Sequence, residues 1–265
     1  MSKDTIFKVD DLAIHFGGIK AVDGVSFDVP RGSIFTIIGP NGAGKTTIFN
    51  AISRLYNVTR GTLTFDGTDI TNVKAESIAS LGIARTFQNI ELFENASVLQ
   101  NLLIGRATHS TSRFWQDMLF FPSVKQAERA HRQRVEEVID FLDLQPHRDS
   151  LISGLPYGVR KVVEIARALC TEPKLLLLDE PASGLSVEET QDLVYWIKDI
   201  RKQLGITVIM VEHDMSLVSQ VSDHVLAINQ GRFLASGSVQ EVQSDPAVIE
   251  AYLGSEAAQR MKEMA

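Results

Sequence analysis

Val25, Phe27 and Val29 fall at period two and are followed by Pro30-Arg31-Gly32, which predicts a half-buried strand closed by a turn. Residues 34–38 are nearly continuously apolar, the pattern of a strand buried on both faces, and run straight into Gly39. A helix is predicted over residues 45–54. Residues 62–65 alternate again before an Asp66-Gly67 turn.

The middle of the chain, residues 90–168, carries few strand signals. Val135, Val138, Ile139 and Leu142 follow i, i+3, i+4, i+7 spacing and predict an amphipathic helix. Its polar face mixes Arg129, Arg132 and Arg134 with Glu136 and Glu137, the pattern of a solvated surface rather than a basic stripe. Alternation returns in the last third. Residues 175–178 read as a buried strand, Leu193, Ile197, Ile200 and Leu204 as a helix face, and 206–211 as another strand. Residues 225–229 and 233–236 flank Gln230-Gly231 as a hairpin. Strands separated by helices imply an α/β fold with a largely parallel sheet.

Composition narrows the class. The 265 residues are 44% hydrophobic and 22% charged, which excludes disordered and collagen-like chains. At about 150 residues per domain this length suits one large domain or two small ones. Lys and Arg number 26 against 33 Asp and Glu, a net charge of −7 that argues against a nucleic-acid partner. Cys170 is the sole cysteine, so no intrachain disulfide forms, and its apolar setting predicts a buried thiol. No apolar run approaches the roughly 18 residues of a membrane span, and MSKDTIFKVD has no signal-peptide character.

The strongest chemical signal is Gly39-Pro40-Asn41-Gly42-Ala43-Gly44-Lys45-Thr46, which fits G-x-x-x-x-G-K-[ST]. Glycines let the backbone curl so that N–H groups face phosphate oxygens, and the helix that follows adds its positive end. Lys45 is placed to reach the β- and γ-phosphates, and the Thr46 hydroxyl to ligate Mg²⁺, with Thr47 beside it in the first helical turn. The predicted strand, loop and helix supply the context the motif needs. Downstream, the strand at 175–178 ends in Asp179-Glu180. A carboxylate at such a tip can hold Mg²⁺ through water, and its neighbour can orient or deprotonate an attacking water.

With these residues in place, the chain resembles the ATP-binding cassette (ABC) ATPases over nearly its whole length, with the motifs in family order. The resemblance implies that Phe16 stacks on adenine, and that Gln88, in Thr86-Phe87-Gln88, senses Mg²⁺ and the attacking water. It makes Leu155-Pro156-Tyr157-Gly158-Val159 the signature segment, with Tyr157 and Gly158 at a nucleotide. Ser183-Gly184-Leu185-Ser186 becomes the loop at the dimer seam, and His213 the switch histidine at the γ-phosphate. The implied fold is a P-loop ATPase with a mixed sheet, an antiparallel β part and an inserted helical subdomain. Residues 1–89 and 169–265 would form the nucleotide core and 90–168 the helical part.

The signature departs from the family's usual Leu-Ser-Gly-Gly-Gln. Pro156 offers neither hydroxyl nor N–H, and only Gly158 is retained. Lys45, Thr46, Asp179, Glu180 and His213 are all present. An asymmetric pair of ATP sites with a different second subunit is one expectation; a homodimer relying on Gly158 and its helix N-terminus is the other. Phe16-Gly17-Gly18-Ile19-Lys20-Ala21-Val22, Ala84-Arg85-Thr86-Phe87-Gln88, Val211-Glu212-His213-Asp214-Met215 and Ala251-Tyr252-Leu253-Gly254 are similar to the branched-chain amino acid importer ATPases. That resemblance implies ATP and Mg²⁺ as cofactors, a second ATPase subunit, two transmembrane permeases and, indirectly, a periplasmic binding protein. It places the chain at the cytoplasmic face of the plasma membrane. The alternatives are a lipid-exporter ATPase, a soluble ABC ATPase outside transport, or a regulatory cassette that hardly turns over.

Overall fold

The apolar runs and alternating segments all become strands in the computed structural model, which describes residues 4–87, 90–106 and 122–253. The strands are β1 (Thr5–Phe16), β2 (Ile19–Pro30), β3 (Ile34–Ile38), β4 (Arg60–Phe65), β5 (Thr68–Asp69), β6 (Ile83–Arg85), β7 (Leu175–Asp179), β8 (Thr207–Val211), β9 (His224–Asn229) and β10 (Arg232–Gly237). The helices are α1 (Lys45–Ile52), α2 (Ile78–Leu81), α3 (Val98–Gly105), α4 (Pro122–Phe141), α5 (Tyr157–Leu169), α6 (Val187–Leu204), α7 (Met215–Val221), α8 (Val239–Ser244) and α9 (Pro246–Leu253).

Six strands form one sheet in the order β10-β9-β3-β8-β7-β6. All its pairings are parallel except the β9–β10 hairpin. The other four strands form an antiparallel sheet, β2-β1-β4-β5. This is the mixed α/β architecture expected from the sequence.

The parallel sheet is buried on both faces, which is why its strands read as apolar runs rather than alternations. On one face Ile34, Leu176, Leu178, Val208 and Met210 pack with residues of α3, α4, α5 and α6, including Val98, Val135, Val163 and Ile197. On the other, Phe35, Ile37, Leu175, Leu177 and Ile209 pack with α1 and the antiparallel sheet. The helical segment therefore shares a core with the sheet. The polar face of α4 is solvated, with Arg134 paired to Glu137 and Glu172.

Two sequence expectations are corrected. The helix at 45–54 ends at Ile52, because Arg54 takes a left-handed φ of 60° and buries its guanidinium against backbone carbonyls of Val73 and Tyr56. In α6 the buried stripe is Leu193, Val194, Ile197 and Ile200, while Leu204 stays half-exposed at the helix end before Gly205. The low strand content expected of residues 90–168 holds among the described residues, where the pairing found is the isolated bridge Ser97 to Leu151.

Cys170 caps the C-terminus of α5 at 1% exposure, and burial pushes its thiol up to about 12. The thiolate is the reactive form, so the folded chain should resist alkylation at pH 8 and react fully in denaturant. Mass spectrometry of both samples checks this; rapid labelling of the native chain would contradict the burial.

Candidate functional site

Parallel strands bring their carboxyl ends to one edge of the sheet, where open α/β folds bind ligands. Here β3 runs into the glycine loop, β7 into Glu180, and β8 into Glu212 and His213. The register pairs Ile37 and Asp179 each with Val211, so the three ends are level.

The loop is held by distant backbone. A Cβ on Gly39 would lie 2.3 Å from the Ile228 carbonyl, and one on Gly44 2.7 Å from the Ala21 carbonyl, so both positions need glycine. Gly44 also has φ +102°. Gly231, in the β9–β10 turn, donates its N–H to the Ala43 carbonyl at 2.9 Å. Lys45 is buried and donates to the carbonyls of Gly39 (2.7 Å) and Pro40 (3.2 Å), spanning the loop from inside. Burial lowers its pKa, and the charges of Glu180 and Asp179 oppose that shift.

α1 starts without a side-chain cap and without an acidic residue in its first turn. Its first N–H groups therefore meet no competing carboxylate, which suits an anion. Thr46 is exposed and Thr47 partly so, while Asn41 and Gly42 lie on the open side of the loop and Pro40 on its flank.

Asp179 is 2% exposed, and Arg85 Nη2 donates to its Oδ2 at 2.7 Å. The same guanidinium reaches Asn50 Oδ1 and Ser53 Oγ, and lies 5.6 Å from the Phe49 ring and 5.2 Å from the Phe87 ring. Burial raises the Asp179 pKa, and Arg85 counters it. Glu180 adopts a left-handed φ of +46°, and its N–H donates to the Val211 carbonyl at 2.9 Å. His213 is exposed, its Nδ1 3.9 Å from Glu180 Oε2 and 3.8 Å from Glu212 Oε2.

Lys45, Thr46, Asp179, Glu180 and His213 thus gather at one sheet edge. Phe16 stands apart on the antiparallel sheet, 47% exposed, edge-on to Tyr56 with centroids 5.1 Å apart. Tyr157 and Gly158 open α5 and meet their own chain. Tyr157 lies against Gly184, and a Cβ on Gly158 would sit 2.0 Å from Glu189 Oε1. Gln88 lies outside the described residues.

Three residues escaped the sequence reading although each lies in a quoted run. Arg85 is the counter-charge of Asp179. Glu212 is fully buried and accepts backbone N–H groups of Ala182 (2.9 Å), His213 (2.9 Å) and Asp214 (3.2 Å), tying the loop after β7 to the one after β8. Tyr252, on α9, has its pKa raised by burial, and the nearby Gly39 backbone opposes that shift. Val248, one turn earlier, packs with Ile38, which directly precedes the loop.

The donor pair Thr46 and Asp179 fits Mg²⁺, a hard cation that takes one or two protein oxygens beside phosphates and retains waters. Among the described residues no group of three or more Asp, Glu, His or Cys is placed to hold a metal ion.

A family model described as "ABC transporter" matches residues 22–183, and one described as "Branched-chain amino acid ATP-binding cassette transporter" matches residues 234–258. The high-affinity branched-chain amino acid transport ATP-binding protein BraF of Pseudomonas aeruginosa is 39% identical over 249 residues, 94% of this chain and 98% of the relative. LivG of Escherichia coli K12, of the same description, is 36% identical over the same shares of each chain. The crystal structure of a nucleotide-free ATP-binding cassette from an ABC transporter superposes with a TM-score of 0.83 at 33% identity. It covers 95% of this chain and 100% of that one. The ADP conformation of MJ1267, an ATP-binding cassette of an ABC transporter, gives 0.83 at 32% identity, over 95% of this chain and 99% of that one.

Proposed function

The chain belongs to the ABC transporter family of ATP-binding proteins, and from that premise we propose that it is the ATP-hydrolysing subunit of an importer for branched-chain amino acids. The observation that carries the chemistry is the convergence of Lys45, Asp179, Glu180 and His213 at the ends of β3, β7 and β8.

In this reading the backbone of Gly39 to Thr47 cradles the phosphates, Lys45 supplies a buried cation, and Phe16 stacks on adenine. Thr46 and Asp179 would hold Mg²⁺, the role the family resemblance also gives Gln88. Bound there, Mg²⁺ would supply neutralisation of the phosphate charge. Glu180 orients and deprotonates the attacking water, and His213 bonds the γ-phosphate as charge redistributes.

Residues 1–89 and 169–265, with 90–168 inserted, act as one cassette that pairs with a second cassette. The altered signature favours a different subunit as the partner. Pro156 has neither hydroxyl nor N–H and Tyr157 faces its own chain, so the side chains of this segment offer the partner's γ-phosphate no donor, and only the uncapped N–H groups that open α5 remain. A related lipid exporter or a non-transport ATPase fits less well with the family match over 234–258.

Among the described residues no helix is long and apolar enough to cross a membrane. In this reading the chain attaches at the cytoplasmic face through two permeases, fed by a periplasmic binding protein. A 350 Å³ groove between α2, β6, α3 and α5, lined by Leu55, Ile78, Phe87 and Ile104, suits a permease segment. Its floor is tied to α5, because Glu164 accepts the Phe87 N–H at 3.1 Å and Arg167 donates to the Glu91 carbonyl at 2.6 Å.

Purification from native membranes with associated subunits, followed by steady-state hydrolysis with and without the binding protein and leucine, tests the reading. Two permeases, a second cassette and stimulation by the loaded binding protein are expected. Full turnover by a purified homodimer would overturn the asymmetric pairing.

A further inference from the structure

Glu180 occupies a backbone conformation that non-glycine residues seldom adopt. Such positions persist only where the surroundings over-determine them. Its N–H is fixed by Val211, and its carbonyl accepts the Ser183 N–H at 3.1 Å. The loop from 180 to 185 closes on itself again where the Leu185 N–H meets the Ala182 carbonyl at 3.1 Å. One outside anchor is Glu212, which accepts the Ala182 N–H.

A second outside anchor is Tyr157, the first residue of α5. The Tyr157 hydroxyl donates to the Ser183 carbonyl at 3.4 Å. Its ring presses on Gly184 so closely that a Cβ there would lie 2.9 Å from Cε1, and Gly184 has φ +81°. Only glycine lets the loop approach the ring in this way. The Lys161 ammonium, one turn along α5, lies 6.0 Å from the ring centroid. Lys161 is itself buried, among the charges of Glu164 on its own helix, Asp179 and Glu180 at the end of β7, and Glu212 after β8. A glycine at position 157, as in the usual signature, could make none of these contacts.

We propose that Tyr157 is a positioning residue, a latch that holds Ser183-Gly184 against the first turn of α5 and so keeps Glu180 in its left-handed conformation. This rests on the reading of Glu180 as the hydrolytic base. The signature departure is then a replacement rather than a loss: the position has given up a contact to the partner's nucleotide and acts on the hydrolytic site of its own chain.

Amide hydrogen exchange on the full chain, with steady-state hydrolysis in the assembled transporter, tests the latch in Tyr157→Ala and Tyr157→Phe. In Tyr157→Ala, exchange at 182–185 should rise about tenfold or more, with the amides of the phosphate loop and of β7 unchanged. The same variant should lose about fivefold or more in kcat with KM within about twofold, since binding is spared and the reactive geometry is not. Tyr157→Phe keeps the ring on Gly184 and should recover most of both. An unchanged loop, a rise of equal size along the whole chain, or a looser loop with full kcat would each overturn the latch. Full hydrolysis by Glu180→Gln would overturn the reading of Glu180 instead. Exchange then decides alone: a rise confined to 182–185 supports the latch, and no rise there overturns it.

Discussion

Glu180→Gln should cut steady-state hydrolysis by about a hundredfold or more while leaving ATP affinity within about twofold, because general-base catalysis contributes roughly 10²–10⁴. The amide keeps the size and hydrogen-bonding reach of the carboxylate but cannot take the proton of the attacking water. The backbone that positions it is unaffected, since Val211 and Ser183 hold the main chain of residue 180 and not its side chain. His213 lies 3.9 Å away and cannot stand in, because in this reading it bonds the γ-phosphate. Affinity is spared because the contacts to phosphate come from the loop after β3 and from His213, not from Glu180. The variant should therefore accumulate the ATP-bound state, in which the closed pair of cassettes is favoured. Phosphate release and equilibrium nucleotide binding measure the two quantities separately. Unchanged phosphate release would remove Glu180 from the hydrolytic role.

What was legible in the sequence is what short-range pattern encodes. Residues 34–38 and 175–178 read as buried strands because both faces of the parallel sheet are covered, and each lies within a strand where expected. The phosphate loop was legible because its spacing is local and its glycines are placed by rule. Why Gly39 and Gly44 must be glycine was not legible, since the atoms that exclude a side chain belong to Ile228 and Ala21. Burial of charge was hidden for the same reason. Arg85 and Glu212 stand in the sequence as ordinary charged residues, and only the fold brings Arg85 to Asp179 and three backbone N–H groups to Glu212. The helix over 45–54 was predicted too long because periodicity continues past Ile52, whereas the packing of Arg54 under Val73 ends it. Tyr157 was read as a nucleotide contact from its place in a motif, while its ring and hydroxyl meet Gly184 and Ser183.

Lys45→Met should weaken ATP binding by about a hundredfold or more, as expected when a charge-assisted contact to phosphate is removed from a buried site. The lysine plays two parts with opposite signs for the nucleotide-free chain. It bonds the carbonyls of Gly39 and Pro40, which steadies the loop, but its cation is buried at a cost that shows as a lowered pKa. Met keeps the unbranched stem and removes both the bonds and the desolvation cost, so thermal stability without nucleotide should change little. The remaining contacts of the loop, from Gly231 to Ala43 and from Ala43 to Pro40, do not involve the side chain. The loss should therefore appear in the ligand-induced rise of the melting temperature, which depends on affinity through mass action, and not in the baseline. Melting curves with and without ATP separate the two. A normal nucleotide-induced shift in Lys45→Met would count against the phosphate loop as the nucleotide site, whereas a lower baseline with an intact shift would make Lys45 a structural strut alone.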